Sequence, residues 1–204
     1  KNICFVANNT FHVENRLRSF KYTKKHLLFV GTLNSRKMLD VCIDAFIKIN
    51  ELAKNKYKFI IIGDGEERDN LIDYINKRNQ SNNIYLIGAL NNTNDLEKYY
   101  KNAFASISYG QAGLSVLQSF AYGVPFITKR NSISGGENNN IINEFNGLLV
   151  DEKVINLEKA LKRIMFDEQF SKILGKNAFD YYSKNCTLDQ MVNRFKLAIE
   201  SYKL

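Results

Sequence analysis

A chain of 204 residues, 45% hydrophobic and 25% charged, is long enough to bury one good-sized core and lacks the composition of a disordered protein. Its 29 basic and 21 acidic residues leave a net charge of +8, which suits a phosphorylated ligand, a nucleic acid or an anionic membrane face. The lysines are scattered and no nucleic-acid-binding motif accompanies them, so most of the excess reads as solvated surface; no nucleic-acid partner is expected, and a membrane-facing patch is the lesser alternative.

The first apolar run, Asn2 to Ala7, ends in Asn8-Asn9-Thr10 and reads as a strand entering a turn. Phe11 to Lys25 is basic and reads as a linker or a short helix. The start, Lys1-Asn2-Ile3-Cys4-Phe5, lacks the layout of a secretory signal, and runs such as Phe59 to Ile62 fall far below the roughly 20 residues that span a bilayer. A soluble protein is expected.

His26 to Thr32 is a continuous apolar run closed by Gly31, the form of a buried parallel strand. Asn34 or Ser35 can cap the helix that follows, with Leu39, Cys42, Ile43, Phe46 and Ile49 on its inner face. Lys58 to Gly63 is the next strand, with Gly63-Asp64-Gly65 as its exit turn. A helix with Leu71, Ile72, Tyr74 and Ile75 inward runs to about Lys77. Ile84 to Gly88 is a further strand, and Asn91 to Asn94 cap a short helix over Leu96 to Lys101.

The chain centres on Gly110 to Pro125, between the apolar runs Phe104 to Ser108 and Val124 to Thr128. It reads as strand, glycine loop, helix, strand. Leu114, Leu117, Phe120 and Ala121 share one helical face, Gly123 marks the C-terminal cap, and Pro125 stops the helix from resuming. A glycine loop feeding a helix start exposes unpaired N–H groups and lets a bulky polar ligand approach the backbone. The alternative is that Gly110 and Gly113 only shape a tight turn. After Ser132 to Glu137 and an asparagine run comes Gly147 to Val150, and the remainder is helical. Leu157, Ala160, Leu161 and Ile164 line one helix, Phe170, Ile173, Leu174 and Phe179 a second, and Met191, Phe195 and Ile199 a third. Strands alternating with helices predict an α/β fold, a Rossmann-like parallel sheet covered by helices on both faces.

The three cysteines, Cys4, Cys42 and Cys186, are far apart, and Cys42 sits on an apolar helical face, which suits packing in a reducing compartment. His12 and His26 cluster with no cysteine, so no metal site is expected.

The central run, GQAGLSVLQSFAYGVP, resembles the donor-binding segment of family 4 glycosyltransferases of GT-B architecture, whose usual form is E-G-F-G-L-x-x-L-E-A-x-A-x-G-x-P. Gly113-Leu114, Leu117, Ala121, Gly123 and Pro125 match. The two motif glutamates fall on Gly110 and Gln118, a loss that resembles a capsule-transferase branch reading G-L-S-V, as Gly113 to Val116 do. The run GTLNSRKMLD resembles the family's G-R-L-x-x-x-K-G-x-D, with Lys37 on the lysine that binds the donor diphosphate and Thr32, after Gly31, on the arginine. Arg36 is the neighbouring cation that could replace it.

The resemblance implies that the chain is the C-terminal, donor-binding half of a GT-B enzyme. Residues 1–25 would be the preceding strand and linker, 26–185 the nucleotide-sugar domain, and 186–204 a helix reaching towards an N-terminal domain missing from this chain. It implies transfer of a sugar from a UDP- or GDP-sugar, with retention and without a metal, to a saccharide or lipid-linked acceptor in cell-surface polysaccharide synthesis. The site would be cytoplasmic, with peripheral contact at the inner membrane face. Implied donor contacts are Gly31, Thr32, Lys37, the loop of Gly110, Gln111, Ala112, Gly113, Leu114 and Ser115, and Gln118 on the ribose. Ala89 and Leu90 would meet the base, and Glu137 would contact the donor, cap a helix or face water. No catalytic base is named, and the chain alone would be inactive. A degenerate nucleotide-binding or scaffold module is the alternative reading.

Overall fold

The computed structural model describes residues 7–11, 25–90 and 92–201. The expected first strand, most of the linker, Cys4 and His12 lie outside them. The remaining chain forms one sheet of six parallel strands in the order β3-β2-β1-β4-β5-β6. These are β1 His26–Val30, β2 Lys58–Ile62, β3 Ile84–Gly88, β4 Ala103–Ile107, β5 Phe126–Lys129 and β6 Gly147–Val150. Every pairing is parallel, from His26 opposite Lys58 in β1 and β2 to Lys129 opposite Val150 in β5 and β6.

The strands are short and apolar because both faces are covered. One face packs beneath α1 Leu39–Leu52, α2 Arg68–Lys77 and α5 Val154–Phe166, with Phe29, Phe59 and Ile61 of the sheet against Cys42, Ile43 and Phe46 of α1. The other lies under α3 Thr93–Asn102, α4 Ser115–Ala121 and α6 Glu168–Asn185, where Leu28 and Phe126 meet Leu96, Tyr100, Leu117 and Phe120. Phe11 packs against this second cluster, and its carbonyl accepts from the Tyr182 hydroxyl.

Two expectations are corrected in detail. The helix after β1 starts later than expected: Ser35–Lys37 form a separate 3-10 turn, Met38 turns left-handed, and α1 begins at Leu39 with no side-chain cap from Asn34 or Ser35. In α6 the inward face is Ser171, Leu174, Gly175, Ala178 and Tyr182, and Ile173 is 47% exposed; the Ser171 hydroxyl reaches the Phe104 carbonyl, which sets the helix rotation. The third helical group forms α7 Leu188–Ser201, which buries no side chain, and Phe195 and Ile199 point outward. The Asn92 cap is as expected, its side chain accepting from Asn94 N at the start of α3.

Candidate donor site at the switch point

Strand order reverses between β1 and β4, and in open α/β sheets the crevice beyond the strand ends at such a point is where ligands sit. Both segments singled out in the sequence leave the sheet there. The β1 exit carries Gly31, Thr32, Arg36 and Lys37, and the β4 exit carries Gly110 to Ser115.

Backbone contacts lock the two exits together. Gly110 N donates to the Lys37 carbonyl at 3.2 Å. A Cβ on Gly110 would collide with the Arg36 carbonyl oxygen and stand 2.7 and 2.8 Å from Met38 Cγ and Sδ. Gly110 is therefore glycine because the 35–38 turn fills its side-chain space. Gly113 differs: a Cβ there would meet nothing within 4 Å. The two glycines of the loop thus differ in their surroundings, Gly110 packed against the 35–38 turn and Gly113 with nothing within 4 Å of a Cβ.

The rest of the loop is tied sideways. Ala112 N donates to Ile133 O at 2.9 Å, Ile133 N returns to Gly110 O at 3.0 Å, and the Ser108 hydroxyl holds Gln111 O at 2.6 Å. Val116 N bonds back to Gly113 O, and Gln118 N to Leu114 O, so α4 starts directly at the loop. Leu114 is exposed and Ser115 half-buried on that first turn. The Ile133 pairing brings the next segment alongside, where Glu137 opens the 3-10 turn Glu137–Asn140 and accepts from the Ser134 hydroxyl at 3.3 Å.

The charge at this locus is positive. Arg68, Arg78, Arg130 and Arg163 all pair with carboxylates. Among the described residues no carboxylate pairs with Arg36 or Lys37. Burial, and then the neighbouring Arg36 charge, hold the Lys37 pKa below its ordinary value. Two cations close enough to repel, on a turn pinned to the glycine loop, favour an anionic ligand.

Gln118 is only 7% exposed, and its Oε1 accepts from the Tyr100 hydroxyl of α3 at 3.1 Å. The amide oxygen of Gln118 is thus engaged within the protein, and its NH2 is the remaining donor of that side chain. Tyr100 stacks on Tyr122 at 4.8 Å. Ala89 is exposed beyond β3, while Leu90 lines a groove of about 460 Å3 along α3 with His26, Asp95 and Tyr99. Lys37 and the Gly110 loop are joined by the Gly110 N–Lys37 O bond, Gly31 and Thr32 directly follow β1, Glu137 lies in the segment past the Gln111–Ile133 bridge, Gln118 bonds to α3, and Leu90 lines the groove along α3. Sequence reasoning missed Met38 and Tyr100. Met38 was detectable as a departure from the K-G pair of the resembled pattern; Tyr100, four residues after Leu96, carried only a core signal.

Comparison with known proteins agrees with this geometry. The model of the family described as Glycosyl transferases group 1 matches residues 14–181. An uncharacterized glycosyltransferase of Methanocaldococcus jannaschii is 29% identical over 185 residues, covering 87% of this chain and 46% of that protein. A poly(ribitol-phosphate) alpha-N-acetylglucosaminyltransferase of Staphylococcus aureus is 25% identical over 199 residues, 94% of this chain and 39% of that one. The chain thus spans less than half the length of these relatives. Among solved structures, a Staphylococcus aureus TarM variant bound to fondaparinux, alpha-GlcNAc-glycerol and UDP superposes with a TM-score of 0.80 at 19% identity, over 94% of this chain and 38% of that one. The C-terminal domain of the group 1 protein LpcC of Francisella tularensis superposes with a TM-score of 0.70 at 16% identity, over 89% of this chain and 97% of that domain. With the family model covering most of its length and a doubly wound sheet like those of GT-B structures, the chain belongs to the group 1 glycosyl transferases.

Proposed function

We propose that this chain is the donor-binding, C-terminal half of a family 4 glycosyltransferase, and that the crevice between β1 and β4 holds a UDP- or GDP-sugar. The observation that carries the reading is the Arg36–Lys37 pair, without carboxylate partners among the described residues, on a turn hydrogen-bonded to the glycine loop. Lys37 and Arg36 hold the diphosphate, the Gly113 side of the loop lets it approach, and Gln118 meets the ribose through its amide NH2. Leu90 and Ala89 border the base.

In sugar transfer the bond from the anomeric carbon to the diphosphate breaks, and negative charge grows on the departing oxygen. Fixed cations beside that oxygen lower the barrier without a metal, because they are oriented before the reaction begins. The reaction proposed is transfer with retention, to a saccharide or lipid-linked acceptor of cell-surface polysaccharide synthesis. Support for the acceptor class comes from the poly(ribitol-phosphate) alpha-N-acetylglucosaminyltransferase relative, and UDP is bound in the TarM variant complex. The acceptor and any base belong to an N-terminal domain. Such an enzyme works on the cytoplasmic side, peripherally at the inner membrane face.

The test is thermal unfolding with UDP, GDP and ADP and their sugar conjugates. Ligand at about 100 times its Kd raises stability by roughly 2.7 kcal/mol. A shift with one nucleotide, lost in Lys37→Ala, supports the reading. A second reading is favoured by Gly110 and Gln118: with neither motif carboxylate present, the domain is a degenerate nucleotide-binding or scaffold module without catalysis. It predicts no transfer by the full-length protein even where a nucleotide binds.

A further inference from the structure

At the strand ends away from the candidate crevice, lysines gather without acidic partners. Lys25 leads into β1, Lys58 opens β2 opposite His26, and Lys54 and Lys56 lie on the connection from α1 to β2. Lys58 N donates to Lys25 O at 3.4 Å, so the two strand starts carry their lysines side by side. The connection is held from inside. The buried Asn50 side chain donates to Tyr57 O and accepts from Tyr57 N, each at 3.0 Å, and Asn55 N returns to Asn50 O at 2.8 Å. Lys54 and Lys56 therefore stand on a fixed support, and both are exposed.

The lysine ion pairs of the described residues engage Lys48, Lys98, Lys101, Lys129 and Lys176, and none of these four. Their contacts are with neutral groups: Lys58 Nζ donates to Asn82 O at 2.7 Å and to Asn83 Oδ1 at 3.2 Å, and Lys56 Nζ lies 5.3 Å from the Tyr57 ring centre. With Glu51 the acidic residue beside the connection, this end stays net positive. Residues 16–24, which run into Lys25, contain Arg16, Arg18, Lys21 and Lys24 and no acid.

Two large apolar side chains accompany the charges. Leu52 ends α1 and is 59% exposed, and Phe166 ends α5 and is 52% exposed. Tyr57 ties the two helix ends together, its hydroxyl donating to the carbonyl of Met165, the residue before Phe166. A phosphodiester backbone gives Leu52 and Phe166 nothing to pack on. A bilayer interface takes both kinds of group, the ammonium ions at the lipid phosphates and the apolar tips below them.

We propose that this end of the domain, with Lys25, Lys54, Lys56 and Lys58 beside Leu52 and Phe166, docks on an anionic lipid surface. The inference rests on the peripheral membrane contact proposed above and names the surface that makes it; the crevice, at the opposite strand ends, stays open.

The experiment is cosedimentation of the full chain with vesicles of phosphatidylcholine alone and of phosphatidylcholine with about one third phosphatidylglycerol, at low and high salt. Wild type is expected to bind the anionic vesicles at least about tenfold more tightly than the neutral ones at low salt, and to lose most of that difference at high salt. Lys54→Gln combined with Lys56→Gln should weaken anionic-vesicle binding about 25-fold, roughly fivefold for each lysine, and Leu52→Ser about fivefold. Lys153→Gln combined with Lys159→Gln removes the same charge elsewhere on the surface and should stay within about twofold of wild type. Every replaced residue is exposed, which keeps folding out of the comparison. Equal weakening by the two double variants, or none by the first, overturns the inference, and so does tighter binding of a single-stranded RNA than of the anionic vesicles at the same salt. In each case vesicle binding by wild type leaves the peripheral contact standing, whereas wild type that binds neither vesicle overturns both.

Discussion

Gly110→Ala and Gly113→Ala are one-methyl changes three residues apart in the same loop, and the structure assigns them opposite outcomes. At Gly110 the new methyl meets the Arg36 carbonyl inside van der Waals contact and Met38 at 2.7 and 2.8 Å. The carbonyl belongs to a turn that Gly110 N itself holds through Lys37 O at 3.2 Å, so the two exits must move apart and strain that bond. Overpacking of this kind costs about 1–3 kcal/mol. At about 2–4 °C per kcal/mol for a chain of this size, the melting temperature should fall by roughly 2–12 °C. At Gly113 the methyl meets nothing within 4 Å, and a less flexible unfolded chain offsets any small loss. Gly113→Ala should melt within about 2 °C of wild type, yet weaken nucleotide-sugar binding, because its methyl enters the open space beside the loop. Differential scanning calorimetry of both variants, with and without nucleotide, reads all of this. Equal melting temperatures for wild type and Gly110→Ala would refute the packing argument.

Further tests address the charges, the buried amide and a thiol. Arg36→Ala and Lys37→Ala should each weaken binding of a nucleoside diphosphate about tenfold, near 1.4 kcal/mol, and flatten its salt dependence; titration at two salt concentrations checks it, and unaltered affinity in both variants contradicts the cation pair. Tyr100→Phe removes the donor to Gln118 Oε1 and should cost about 1–2 kcal/mol by chemical denaturation, since the Gln118 side chain is buried. A variant as stable as wild type would mean water replaces the hydroxyl. Burial pushes the Cys42 thiol up to about 12 from an ordinary 9.0. The folded state keeps a proton that the unfolded chain releases, so the stabilisation is full below about pH 8.5 and is lost as pH rises towards 12, at about 1.4 kcal/mol per pH unit. Cys42→Ala should lose stability less steeply between pH 9 and 11, and parallel curves for the two proteins would disprove the linkage.

Much of the fold was legible because its signals are local. The buried strands are unbroken apolar runs, such as Leu27 to Val30, and α1 repeats Leu39, Cys42, Ile43, Phe46 and Ile49 at helical spacing. Gly123 ended α4 where expected, in a left-handed conformation with φ 65 that places Val124 N on Ser119 O. The order of elements and the glycine loop were enough to indicate a parallel sheet covered by helices on both faces and a loop whose backbone a polar ligand can approach. The rotation of α6 was not legible, because Ile173 and Ser171 compete for the inward face and only the Phe104 carbonyl decides between them.

For the site, the sequence determined which chemistry is present: two adjacent cations, a glycine loop and a helix start without acidic residues. Its local pattern could not separate Gly110 from Gly113, since both are glycines in one loop and differ only in what stands opposite. That was decided by the tertiary structure, which brings residues 36–38 against residue 110 and Tyr100 against Gln118. Local periodicity is set by neighbours three and four positions apart, whereas the space left for a side chain or a ligand is set by whichever distant segment the packed sheet places beside it.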